Sequence, residues 1–159
     1  MAAAALMLAV TGMAGRAQAA PLSNDAGASW EFSASPYTLH WQHDDDHRHV
    51  FAAGVERIQA DDSLAGAYVF RNSFGQPSAY AYVGHQWNGL FGQPALYGKI
   101  SGGLMYGYRG KFRDKVPLNV GGFSPAIVPA VGVRLTPTDA VQFNVLGKAG
   151  VLFSYNRKF

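Results

Sequence analysis

The chain has 159 residues, 48% of them hydrophobic and 13% aromatic, with no cysteine and a formal net charge of +3. That length holds one domain, and the lack of cysteine excludes a disulfide scaffold and the cysteine-based zinc sites. The mild positive charge gathers largely in one loop, which argues against a nucleic-acid partner.

The N-terminus, residues 1–20, has an apolar stretch, Ala2–Val10, and then the small residues Ala17-Gln18-Ala19-Ala20. It resembles a secretory signal peptide with its small-x-small cleavage site, although no Lys or Arg precedes the apolar run. The run is about half of the ~20 residues that a membrane-spanning helix needs. A polar N-terminal segment, 21–35, follows, and residues 36–159 are expected to form the folded domain.

From Pro36 onward, short segments alternate apolar and polar residues, the period-two signature of strands with one greasy and one polar face. Pro36–Gln42 places Tyr37, Leu39 and Trp41 on one face and Thr38 and His40 on the other. After the charged loop His43–His49, Val50–Ile58 carries Phe51, Ala53 and Val55 on its apolar face. Ala60–Ser63 reads as a turn, and Leu64–Ser73 as a third strand with Leu64, Tyr68 and Phe70 outward and Arg71 and Ser73 inward. Phe74–Pro77 has turn chemistry. Ser78–Trp87 and Ala95–Tyr108 are strands four and five, and Arg109–Pro125 is the longest loop. Ala126–Thr136, Ala140–Leu146 and Gly150–Lys158 complete the set, with the turn Pro137–Asp139 between the first two.

Eight such strands with an export signal predict an all-β fold, an eight-stranded antiparallel up-and-down transmembrane β-barrel of outer-membrane type. Tyr37, Trp41, Tyr68, Tyr106, Phe143 and Phe153 are expected to face lipid, and the final Phe159 suits the barrel-assembly machinery. Asp44–His49 and Arg109–Pro125 are expected outside the cell, and Ala60–Ser63 and Pro137–Asp139 in the periplasm. A soluble lipocalin-like barrel shows the same alternation with its apolar face inside.

Alternation places three charged side chains, Glu56, Lys99 and Arg134, inside the barrel, where Glu56 needs one of the cations as partner. On this topology His40 and Ser73 lie at the outer ends of strands one and three, both on the inward face by alternation. A His and a Ser that meet there can work on an acyl ester, the imidazole as base and the hydroxyl as nucleophile or oxyanion donor. Strand two lies between their strands, so ~10 Å separates the backbones and the side chains must close the gap.

The stretch Tyr37-Thr38-Leu39-His40-Trp41 resembles the first-strand motif of the outer-membrane lipid A palmitoyltransferases (the PagP family), which carries that family's essential His. Phe70-Arg71-Asn72-Ser73-Phe74 is similar to the family's Phe-Lys-Asp-Ser-Trp motif, with its essential Asp and Ser. Val116-Pro117-Leu118, Ile127-Val128-Pro129-Ala130-Val131-Gly132, Val141-Gln142-Phe143 and Phe159 also follow the family's pattern. The resemblance spans roughly His40 to Phe159. It departs at Asn72, where the family has Asp, and in a shorter loop between the His and Ser motifs.

The resemblance implies an enzyme in the outer membrane of a Gram-negative bacterium that moves an acyl chain from phospholipid to lipid A, acting as a monomer without metal or cofactor. His40 would be the base, Ser73 its hydroxyl partner and Asn72 the orienter. The acyl donor would enter sideways where prolines interrupt the strand ladder, near Pro117–Pro129 and Pro77. Arg71 and the alternating cations Arg109, Lys111, Arg113 and Lys115, which share a face if strand five continues through them, would engage lipopolysaccharide phosphates. His43–His49 is expected to make only diffuse contacts with divalent cations. The alternative is a barrel without enzymatic activity that binds or passes a small solute or stabilises the membrane. A dry apolar pocket favours the enzyme, and a polar network across the lumen favours the alternative.

Overall fold

A computed structural model describes residues 27–41 and 50–159 of the chain. The leader, the start of the N-terminal segment and the loop His43–His49 lie outside the described residues. Eight strands run up and down: β1 (Ser29–His40), β2 (Ala52–Ile58), β3 (Ser63–Arg71), β4 (Pro77–Asn88), β5 (Leu96–Tyr106), β6 (Phe123–Arg134), β7 (Asp139–Val145) and β8 (Gly150–Lys158). Each pairs antiparallel with the next, and β8 pairs with β1 to close the barrel. Connections 59–62, 89–95 and 135–138 lie at one end, the turn end. Connections 72–76, 107–122 and 146–149 lie at the other, the loop end, where β1 also ends and β2 begins.

The exterior is apolar. Phe32, Tyr37, Leu39, Val55, Val69, Val83, Ile100, Leu104, Ile127, Val131 and Phe143 are all exposed. The interior holds Glu31, Ser33, Gln86, Lys99, Gln142, Asn144, Ser154 and Asn156, all buried. A soluble lipocalin-like barrel has the opposite arrangement. Trp41 is exposed, Tyr106 packs on exposed Phe123 and Phe153 meets Phe143 edge to face, so these rings lie outside as expected.

Two expectations need correction. The first strand starts at Ser29, not Pro36, because a β-bulge between Ala34 and Tyr37 breaks its parity. Ser33 points inward before the bulge, Ser35 within it and Thr38 after it, which hides the period of two. The third strand also faces the other way: Leu64, Tyr68 and Phe70 turn inside, while Ala65, Ala67, Val69 and Arg71 are exposed.

The reversal of β3 has a steric cause. Tyr68 is the register partner of Gly54 on β2, Tyr82 of Gly66 on β3, and Tyr97 of Gly132 on β6. Each tyrosine lies across its glycine so closely that an added Cβ would come within 2.7 Å, 2.5 Å and 2.1 Å of it, respectively. The missing side chain makes room for the ring, and the ring shields a strand backbone that would otherwise pack nothing. Tyr68, Tyr82 and Tyr80 stack in series, Tyr68–Tyr82 at 6.1 Å and Tyr80–Tyr82 at 4.9 Å between centroids.

Candidate active site at the loop end of the barrel

The lumen has two storeys. Toward the turn end, Lys99 Nζ donates to Glu31 Oε1 at 2.8 Å and Glu56 Oε1 at 2.5 Å. Tyr82 donates its hydroxyl to Glu56 Oε2, and Asn156 Nδ2 donates to Glu31 Oε1 and Gln142 Oε1. Tyr97 also donates to Gln142 Oε1, and Gln142 Nε2 passes the chain to Asn144 and Ser154. Buried charges persist only when paired and hydrogen-bonded, and this layer meets that condition. Glu56 thus takes Lys99 as its partner. Arg134 instead bonds Asn88 Oδ1 and lies 4.9 Å from the Tyr97 ring centre. Glu31, the second carboxylate on Lys99, was hidden in the segment read as preceding the barrel.

Above this layer lies an apolar cavity of about 780 Å³, counting the open solvent at its mouth. Val50, Phe70, Met105, Val128, Leu146 and Leu152 are among its walls, and Glu56 and Lys99 form its floor. The pocket and the polar network thus coexist, one stacked on the other.

At the loop end of the barrel, next to the part of the cavity wall formed by Val50, Phe70, Leu146 and Leu152 but not lining it, the structure brings His40 and Ser73 together. His40 Nε2 lies 2.9 Å from Ser73 Oγ, partly buried. β1 delivers His40 to the inner face at its loop end, next to Thr38, whose hydroxyl donates to Val50 O. Ser73 arrives differently from expectation. β3 ends at Arg71, and a turn, not strand alternation, carries Ser73 inward to 8% exposure. In that turn Asn72 N donates to Gln76 O, Gly75 N to Asn72 O, and Gly75 adopts φ 77°. Asn72 Oδ1 accepts from Phe74 N at 3.1 Å and Gln76 N at 3.0 Å. An Asn side chain that caps its own turn this way fixes the loop. Asn72 is therefore beside the pair, but its oxygen is committed to the turn and does not orient the imidazole.

The 107–122 loop grips the same turn. Gln76 Nε2 donates to Arg109 O, and Arg109 N donates back to Gln76 Oε1. Phe74 stacks on Phe112 at 4.3 Å, meets Tyr108 edge to face, and carries Lys115 Nζ over its ring at 5.4 Å. The cations do not extend strand five, because β5 stops at Tyr106 and Gly110–Lys115 forms a short 3₁₀ helix. Period three replaces period two, so the single cationic face dissolves. Arg109 lies over Tyr106, Lys111 over Phe112, and Arg113 beside exposed Asp114. All four remain exposed at the loop end, and Arg71 is exposed on the outer wall. Burial within this loop raises the hydroxyl pKa of Tyr108.

The wall beside the cavity is incomplete. β7 pairs with β6 only over Ala130–Arg134, so among the described residues Phe123–Pro129 has no ladder partner on that side. Arg134 N donates to Ala95 O across the β5 pairing. Strand geometry therefore turns the even-numbered β6 amides toward β5 and the odd-numbered positions toward the gap. Pro125 and Pro129 are odd-numbered, and neither has an N–H to leave unpaired there.

Among the described residues, no group of three or more His, Cys, Asp or Glu is placed to hold a metal. With the imidazole protonated at Nδ1, Nε2 accepts the Ser73 O–H. That arrangement suits proton transfer from a hydroxyl during attack on an ester. No protein-family model and no curated protein matches the chain.

Proposed function

We propose that this protein is an outer-membrane acyltransferase that moves an acyl chain from phospholipid to lipid A. The observation that carries the reading is the His40–Ser73 contact at 2.9 Å beside an apolar cavity inside a barrel with an apolar exterior. The cavity takes the acyl chain, and His40 accepts the proton of the attacking hydroxyl. The gap between β6 and β7 admits the chain sideways from lipid, and Pro125 and Pro129 remove two of the amide donors that would otherwise face it unpaired. Arg109, Lys111, Arg113 and Lys115 meet lipopolysaccharide phosphates as individual exposed cations around the loop end.

The test is mass spectrometry of lipid A from cells with and without the protein. An added acyl chain is expected only with the protein, and His40→Ala and Ser73→Ala abolish it while the barrel keeps its heat-dependent gel mobility. Unchanged lipid A in the presence of folded wild-type protein refutes the reading. The polar layer from Glu31 to Ser154 favours one rival, a barrel without enzymatic activity whose lumen is a stabilising plug.

A further inference from the structure

Asn72 is 1% exposed, yet its Nδ2 has no hydrogen-bond partner among the described residues. The assignment of its two amide atoms is fixed by the turn. Phe74 N and Gln76 N both donate toward the same atom, which must be the oxygen. A flipped amide would set its NH₂ against two donors. The turn thus consumes the acceptor and leaves two N–H donors buried and unused, one residue from the hydroxyl that meets His40. A buried donor without a partner is costly, and natural proteins retain one where a ligand satisfies it.

We infer that the Asn72 carboxamide donates to the carbonyl oxygen of an ester held at Ser73, and so stabilises the oxyanion that develops there. The inference rests on the proposed acyl-transfer reading and reassigns Asn72 within it, from orienter of His40 to oxyanion donor. As a hydroxyl oxygen adds to the ester carbon, its proton passes to His40 Nε2 and the carbonyl electron pair moves onto the oxygen beside Asn72. Collapse restores the carbonyl, breaks the bond to the leaving alkoxide, and returns the proton from His40 to that alkoxide.

Asn72→Asp separates the two roles with opposite signs. The carboxylate still accepts from Phe74 N and Gln76 N, so the turn is kept, but it cannot donate and it places negative charge beside a developing oxyanion. The probe is a p-nitrophenyl ester of a medium-chain fatty acid, presented in detergent micelles to the folded full-length protein. Asn72→Asp is expected to lower kcat by about 10²–10³-fold, the usual cost of losing one oxyanion donor, with KM and heat-dependent gel mobility unchanged. A variant as fast as wild type or faster overturns the inference and restores the orienting role.

Lipid A analysis on the same variants keeps the two readings apart. Ester cleavage that depends on Asn72 with no lipid A product refutes the transfer reaction and leaves the donor role standing. Lipid A acylated equally by Asn72→Asp does the reverse. A wild-type barrel inert toward the nitrophenyl ester overturns the inference.

Discussion

Replacing Lys99 by Met isolates the contribution of the polar layer. Lys99 Nζ is the shared partner of Glu31 and Glu56, and all three side chains are at most 7% exposed. The substitution keeps most of the side chain's volume and takes the net charge of the trio from −1 to −2. Asn156 still donates to Glu31 and Tyr82 to Glu56, but no cation remains between the two carboxylates. Removing one partner of a buried pair costs about 3–5 kcal/mol. With a urea slope of ~2 kcal/mol per molar, the unfolding midpoint should fall by about 2 M. Midpoints of the folded barrel in detergent, followed by tyrosine and tryptophan fluorescence, measure this. The combined variant Lys99→Met, Glu31→Gln, Glu56→Gln removes every charge and should recover most of the loss, since the stranded carboxylates carry the penalty. A Lys99→Met midpoint within 0.5 M of wild type (about 1 kcal/mol), or no recovery in the combined variant, refutes the reasoning.

Gly66→Ala should destabilise by about 1–3 kcal/mol, because its Cβ would stand 2.5 Å from Tyr82 Oη and 2.8 Å from Val55 O. Gly102→Ala, with nothing within 4 Å, should shift the same midpoint by less than ~0.5 kcal/mol. Ser63 donates its amide and hydroxyl to Asp61, which lowers that carboxyl below its ordinary 3.8. A lowered pKa stabilises the turn above that ordinary value and loses the effect as pH falls through the depressed one. Amide exchange at Ser63 should therefore be slower in wild type than in Asp61→Ala at neutral pH, with the difference lost in strong acid. Protease added to intact cells should cut at Lys111–Lys115; cleavage only after the outer membrane is permeabilised reverses the orientation.

The closed barrel was legible because strands such as β7 alternate cleanly, with Val141, Phe143 and Val145 against Gln142 and Asn144. The faces of β3 were not, because Leu64, Tyr68 and Phe70 look like lipid-facing residues until their cross-strand partners are known. Gly54 and Gly66 decide that question from other strands, and no local window contains the pair. The start of β1 was masked by its bulge, and with it the role of Glu31. At the candidate site, the residue types at His40 and Ser73 pointed to one rim. The route of Ser73 was misread, since a turn places it and strand parity does not. The atoms of Asn72 were beyond reach of the sequence, because side-chain capping depends on the backbone path of Phe74 and Gln76.

The layer of Lys99, Glu31, Glu56, Tyr82, Tyr97 and Gln142 also has an electrical meaning. A continuous aqueous column through the lumen would need a file of water molecules to displace hydrogen bonds that these groups already make with one another. In a planar lipid bilayer the inserted protein should therefore show no unitary conductance, unlike a porin of larger circumference. A cell can then carry many copies without dissipating small-molecule gradients. Whatever enters the cavity above stops at this layer.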